Sequence, residues 1–331
     1  MSRPARIGLV LGGGGLVGHA WHVGVLAGIA ETTGWSACSA ALVVGTSAGA
    51  VVGAELRCGL HPAELLAPGA GAAPSEVPRP VLGPRSYRPA TATMVVRGLR
   101  RPRQASLGLV AAGLLPRGRR DAAIITDAVA GLAPGGLPWP PGLWVCATRL
   151  HDGERVVLRA GTWSDLGQAV AASCAMAGFF APVPIAGHDH VDGGARSVTN
   201  ADVVAGEDLD LVVVSSPMSL GAGGGRRPTG LAARAAHRRR LGHGARLARE
   251  VAQVRRQGTP VVVVEPGPDD VAVMGGCGAS MDFERRSAVG RQARFTAVHR
   301  FTSTPLAEVA AVLASAASPG RPRSASGLAV P

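Results

Sequence analysis

Lysine is missing altogether. All 34 basic residues are arginine, which excludes the lysine-dependent phosphate loop G-x-x-x-x-G-K-[ST]. Aromatic residues make up only 3% of the chain, and no recognised nucleic-acid motif accompanies them, so nucleic acid is not expected as a partner. No apolar run approaches the roughly 20 residues that a membrane-spanning helix needs. The five cysteines, Cys38, Cys58, Cys146, Cys174 and Cys277, show neither paired nor metal-type spacing. That argues against a disulfide framework and for a reduced, cytoplasmic setting. Arg3 and Arg6 before Ile7–Leu11 are only faintly like a secretion signal, because the apolar run is short and breaks into four glycines without a cleavage site.

What is present is ample for a core. The chain has 331 residues, 47% of them apolar, enough for one large domain or two small ones. The net charge of +12 favours an anionic surface or substrate. Part of it reflects the bias that also makes the chain rich in Ala, Gly, Pro and Val.

Two glycine-framed turns stand near the start. Ile7–Leu11 reads as an apolar strand, followed by Gly12-Gly13-Gly14-Gly15-Leu16-Val17-Gly18 and a helical stretch from His19 to Ala30. A strand, a glycine loop and a helix together bring backbone N–H groups to bear on a negative charge. Gly13, Gly15 and Gly18 also fit G-x-G-x-x-G, but a dinucleotide fold wants an acid at the end of the next strand. There the chain has Gly45-Thr46-Ser47-Ala48-Gly49, a G-x-S-x-G pattern between a strand at 40–44 and a helix at 48–56. Such a pattern forces a serine into a sharp, exposed turn with glycine on both flanks. The glycine loop then suits an oxyanion hole better than a pyrophosphate site.

Residues 61–120 are rich in Pro, Gly and Arg and read as an irregular insertion with a short helix at Thr93 to Arg101. Contact with anionic phospholipid headgroups and a merely solvated cationic loop are equally open readings of it. Regular alternation resumes with a helix at 121–132, strands at 143–148 and 155–158, and a helix at 164–176 capped by Ser164. A strand–turn–strand then delivers Asp192 into Gly193-Gly194. Continuous apolar strands at 209–215 and 260–265 indicate a parallel or mixed sheet. The basic segment 231–257 reads as a surface helix, 283–297 and 305–317 as closing helices, and 318–331 as a disordered tail.

A serine needs a base to act as a nucleophile at neutral pH. His237, His243 and His299 are available for a histidine triad, but none sits in a distinctive turn. His188, His190 and Asp192 share one strand face by their period-two spacing, which is a metal-site geometry as well as a common hairpin rim. His19, Trp21 and His22 border the glycine loop, where substrate contact and plain packing are both open.

A third candidate is a Ser-Asp dyad. A glycine-rich first loop, an early G-x-S-x-G and a late D-G-G, in that order, resemble the patatin-like acyl hydrolases. Ser173-Cys174-Ala175-Met176, Phe180-Ala181-Pro182-Val183, the run from Ser197 to Asp202 and Met281-Asp282-Phe283 extend the resemblance over most of residues 6–300. It implies Ser47 as nucleophile, Asp192 as base, and the amides of Gly13, Gly14 and Gly15 as oxyanion hole. It further implies an α/β fold of three layers, α/β/α, with a mainly parallel central sheet. Residues 1–317 would form one domain carrying the 61–120 insertion, and neither metal nor cofactor is expected. The implied activity is hydrolysis of carboxylic esters of lipids through an acyl-serine. A lipid acyltransferase and a non-catalytic lipid-binding protein are the alternatives on the same fold. Lipid or ester is the expected partner, with peripheral contact to an anionic membrane surface. Two departures stand out: Val17 replaces the usual loop arginine, and the helix after Gly18 is one residue longer before Gly24-Val25-Leu26. A free aspartate near pKa 3.9 is a weak base for a hydroxyl, so burial must raise Asp192 or the oxyanion hole must lower the barrier.

Overall fold

The computed structural model describes residues 3–67, 112–115, 117–133, 138–221 and 228–317. The apolar runs become strands β1 (Ile7–Leu11), β2 (Leu42–Thr46), β3 (Leu143–Arg149), β7 (Leu211–Ser215) and β8 (Val261–Val264). All five run parallel, in the order β3-β2-β1-β7-β8. Both faces of such strands are covered, which is why their sequences are apolar throughout rather than alternating. Leu9, Leu11, Val43 and Val213 point into one core, and Val10, Val44, Val212 and Val214 into the other.

Helices α1 (Gly15–Thr33), α2 (Ala48–Arg57), α5 (Leu166–Cys174) and α8 (Arg286–Phe301) cover the first face. The basic α6 (Leu231–Arg256) covers the second through Leu247, Val251 and Val254. The result is the expected three-layer α/β/α arrangement around a mixed, mainly parallel sheet. Helices α1 and α8 touch backbone to backbone, and a Cβ at Gly24 would lie 2.2 Å from the Gly290 carbonyl oxygen. Any side chain there would force the two helices apart.

The mixed part of the sheet positions the candidate site. Strands β4 (Arg155–Arg159) and β6 (His188–Asp192) both pair antiparallel with β3, and β5 (Val183–Ile185) extends β6. Strand β4 lies against Trp144 through Thr148 on one edge of β3, leaving the other edge to β2 and β6 in succession. Thr46 is opposite Cys146, and Asp192 is opposite the next residue, Ala147. The ends of β2 and β6 therefore abut.

The differences from the sequence reading are local. Helix α1 begins at Gly15, not His19, because Gly15 itself turns the chain with φ 63° and the helix starts on the glycines. The cap of α5 is Asp165, whose side chain accepts the Gln168 N–H at 2.8 Å, not Ser164. The segment at 268–274, unassigned from sequence, forms α7 (Pro268–Met274), with Pro268 in its first turn. The closing helix expected at 283–297 runs Arg286–Phe301 and is followed by α9 (Ala307–Ala316). Two short helices flank the insertion, α3 (Pro62–Leu65) at its start and α4 (Ala123–Ala130) after it. The helix expected at 93–101 and the tail from 318 fall outside the described residues. No described helix is long and apolar enough to cross a membrane.

Candidate active site

Ser47 occupies the turn between β2 and α2 with φ 53° and ψ −120°. A non-glycine residue in that region carries strain, which the surrounding packing must hold in place. The flanking glycines explain how. A Cβ at Gly45 would lie 2.4 Å from Ala50 Cα, and one at Gly49 would lie 2.0 Å from the Leu11 carbonyl oxygen. The turn is therefore pressed against its own helix on one side and the end of β1 on the other. The Ser47 N–H donates to Ser173 Oγ at 2.8 Å, and Ser173 donates on to the Cys146 carbonyl at 2.7 Å. Ser173 is fully buried and ties the turn to β3. Its place in the resemblance was visible in the sequence, but its role as a clamp was not, since nothing in a serine's neighbours announces a partner 126 residues away.

Asp192 ends β6, and its carboxylate accepts the Gly194 N–H at 2.6 Å. Burial pushes its pKa up to about 6, against the opposing pull of the Ser47 hydroxyl and the Gly194 N–H. Ser47 and Asp192, predicted as a pair from sequence, are thus brought together. Of the two ways in which an aspartate could act on a hydroxyl, a raised pKa and a barrier-lowering oxyanion hole, this burial corresponds to the first. Beside them, burial and the Asp192 carboxylate hold the Cys174 thiol far above its ordinary range, so it stays protonated at neutral pH.

The glycine loop passes on the other side of Ser47. A Cβ on Gly13 would lie 3.4 Å from Ser47 Cβ. Gly12 N–H donates to the Ser215 carbonyl at 3.0 Å, and Gly13 N–H donates to the Val198 carbonyl at 2.7 Å. Gly13 was expected to offer its amide to an oxyanion, but that amide is committed to Val198. The amides of Gly14 and Gly15 donate to no protein acceptor among the described residues. They lie at the start of α1, where the helix dipole and the unsatisfied N–H groups favour negative charge. Val17 is buried and carries no charge to the loop. A cavity of about 420 Å³ opens against Gly14 on the β7 side, lined among others by Val17, Leu220, Arg239, Val271 and Met274.

The histidines take other roles. His22 is fully buried, and its Nε2–H donates to the Gly12 carbonyl at 2.6 Å while Nδ1 lies 2.8 Å from the Ser215 hydroxyl. The carbonyl can only accept, which fixes this tautomer, so Nδ1 accepts from the serine. Burial lowers its pKa to about 3, and the neutral ring acts as a strut beneath the glycine loop. His19 pairs with Glu55 at 2.8 Å inside the core, and Trp21 is wholly buried. His243 is lowered to about 4 by burial and by Arg239, Arg240 and Arg246. None of the described histidines hydrogen-bonds Ser47 or Asp192. His188 is exposed and stacks on His151 at 5.0 Å, whereas His190 is buried and bonds the His188 carbonyl at 2.8 Å. Among the described residues no three His, Cys, Asp or Glu side chains converge on a metal position.

The family model described as patatin-like phospholipase matches residues 9–205, well over half of the chain. The crystal structure of VipD from Legionella pneumophila is similar at 16% identity and a TM-score of 0.44, over 90% of this chain and 68% of that one. No curated protein matches.

Proposed function

Because the chain belongs to the patatin-like phospholipase family, a family of carboxylic ester hydrolases, we propose that it cleaves carboxylic esters of lipids through an acyl-Ser47 intermediate. Asp192 serves as the base and the Gly14 and Gly15 amides as the oxyanion hole. The observation that carries this reading is the shared edge of β3, which sets Thr46 opposite Cys146 and Asp192 opposite Ala147.

The chemistry follows from the parts. Ser47 Oγ attacks the ester carbonyl carbon as its proton passes to the Asp192 carboxylate. The carbonyl oxygen becomes an oxyanion and accepts hydrogen bonds from Gly14 and Gly15, which are preorganised at the helix start. Collapse expels the alcohol, which takes the proton back from Asp192, and leaves an ester on Ser47. Water repeats the sequence with Asp192 again as base and releases the acid. An aspartate raised to about 6 is a better proton acceptor than a free one, yet it is largely ionised at neutral pH. A histidine is not required.

The substrate side is supported by charge. Helix α6 carries arginine along most of its length with Glu250 as its single acid. Such a surface suits a lipid aggregate bearing anionic headgroups. The test is labelling with a fluorophosphonate probe, followed by a screen of acyl esters and phospholipids. Wild type should label and Ser47→Ala should not. Labelling that persists in Ser47→Ala, or none in wild type, rejects the proposal.

A further inference from the structure

We propose that Glu250, on the far side of the sheet from α1 and α2, is a positioning residue for the glycine loop. Glu250 is buried in α6. Its Oε1 accepts from the Ser197 hydroxyl at 2.6 Å and from Arg246 Nε at 3.2 Å. Its Oε2 accepts from the Thr199 hydroxyl at 2.7 Å and from the Ala201 N–H at 2.9 Å. Three of these four donors belong to residues 197–201, the strap that follows Asp192-Gly193-Gly194. That strap touches both glycine-framed turns. Its Val198 carbonyl holds the Gly13 N–H at 2.7 Å, and its Asn200 amide donates to Thr46 Oγ1, next to Ser47, at 3.1 Å. Asn200 lies in the left-handed region at φ 52°, a conformation that Asn adopts more readily than other non-glycine residues, and this bends the strap.

A buried carboxylate is a poor choice for stability alone, since apolar residues of the same size fill such sites as well or better. Leu247 and Val251 on the same helix already supply the apolar contact with the sheet. What Glu250 adds is direction. Two fixed oxygens gather two hydroxyls and one amide of a short strap and thereby set where the Val198 carbonyl points. Through that carbonyl they set the height of Gly13 beside Ser47, and with it the aim of the Gly14 and Gly15 amides. Nothing in this chain of bonds touches substrate, so the effect belongs to orientation. Its kinetic consequence rests on the Ser47 reading above; its structural consequence does not.

The experiment uses the full chain and two independent disruptions, Glu250→Ala and the double variant Ser197→Ala with Thr199→Val. Amide hydrogen exchange at Gly13 is read against Gly12, whose N–H is bonded to Ser215 of β7 and not to the strap. We expect Gly13 to exchange about tenfold faster relative to Gly12 in both variants. General loosening of the fold would accelerate the two glycines together. With an acyl ester as substrate, kcat should fall about 10²-fold at little change in KM. Glu250→Gln, which keeps the shape and one acceptor oxygen, should restore most of both signals. Leu247→Ala, on the same helix and without a bond to the strap, should lower the melting temperature yet leave the Gly13 to Gly12 ratio unchanged. An unchanged ratio in whichever of the two disruptions folds, or an equal shift in Leu247→Ala, overturns the proposal. Failure of wild type to label with fluorophosphonate would instead reject the hydrolase reading and leave the exchange result to stand by itself.

Discussion

Replacing Asp192 by Asn should make the protein more stable while stopping its chemistry, and the size of the gain should depend on pH. In the folded chain the Asp192 carboxyl is pushed up to about 6, from an ordinary value of 3.8. A folded pKa above the unfolded one means the native state binds the proton more tightly. The contribution of this one group is then most favourable below pH 4 and is lost as pH rises through 6. Moving one carboxyl from 3.8 to about 6 corresponds to about 3 kcal/mol at full ionisation. Water at the half-buried edge of the side chain makes that an upper bound. Asn has the shape of the protonated acid, keeps an oxygen for the Gly194 N–H, and does not titrate. Urea denaturation of both proteins from pH 4 to pH 8 should therefore give nearly equal stabilities at pH 4. The gap should then open in favour of Asp192→Asn and level off above about pH 7. The wild-type kcat/KM should rise along the same curve, with an apparent pKa near 6, because only the ionised aspartate accepts the serine proton. A stability gap that is independent of pH, or a variant less stable than wild type at pH 8, would refute the reasoning.

Three further outcomes can be measured. Ser47→Gly should be about 1–3 kcal/mol more stable than Ser47→Ala in thermal or urea denaturation, since glycine relieves the strain at φ 53° and alanine retains it. Ser173→Ala leaves the Ser47 N–H without its acceptor and should cost about 1–3 kcal/mol of stability. It should also slow fluorophosphonate labelling of Ser47; equal labelling rates would show that the clamp is dispensable. Binding to anionic liposomes should weaken as salt rises from low to physiological strength, and charge reversal on the exposed arginines of α6 should weaken it further. Indifference to salt and to lipid charge would remove the membrane contact.

Much of the fold was legible because its central strands are uninterrupted apolar runs. Runs such as 211–215 have only one comfortable place, between two layers of helices. Ser47 stood out through the G-x-S-x-G turn that frames it, whereas Asp192 was singled out through the resemblance that its D-G-G motif helps to carry. The parts that escaped depend on distant backbone. Whether Gly13 has a free amide is decided by the Val198 carbonyl, and no property of residues 12–18 reveals it. The early start of α1 was hidden by glycine's poor helix propensity, which packing overrode. Of the residues bordering the loop, His22 showed its chemistry but not its use. A histidine two turns into the helix that follows the glycine loop leaves substrate contact and plain packing both open, until a carbonyl and a hydroxyl occupy both ring nitrogens.

The succession of β2 and β6 along one edge of β3 makes β3 a ruler for the pair. The spacing between Ser47 and Asp192 is laid off against two consecutive residues, Cys146 and Ala147, not against the 145 or so residues of chain that separate them. Segments that join β2 to β3, the arginine-rich insertion among them, can lengthen, shorten or change composition without moving the serine from the aspartate. The same ruler is unforgiving at its own scale. A slip of β6 by one residue would put Val191 at the mark and turn the carboxylate to the opposite face of the sheet.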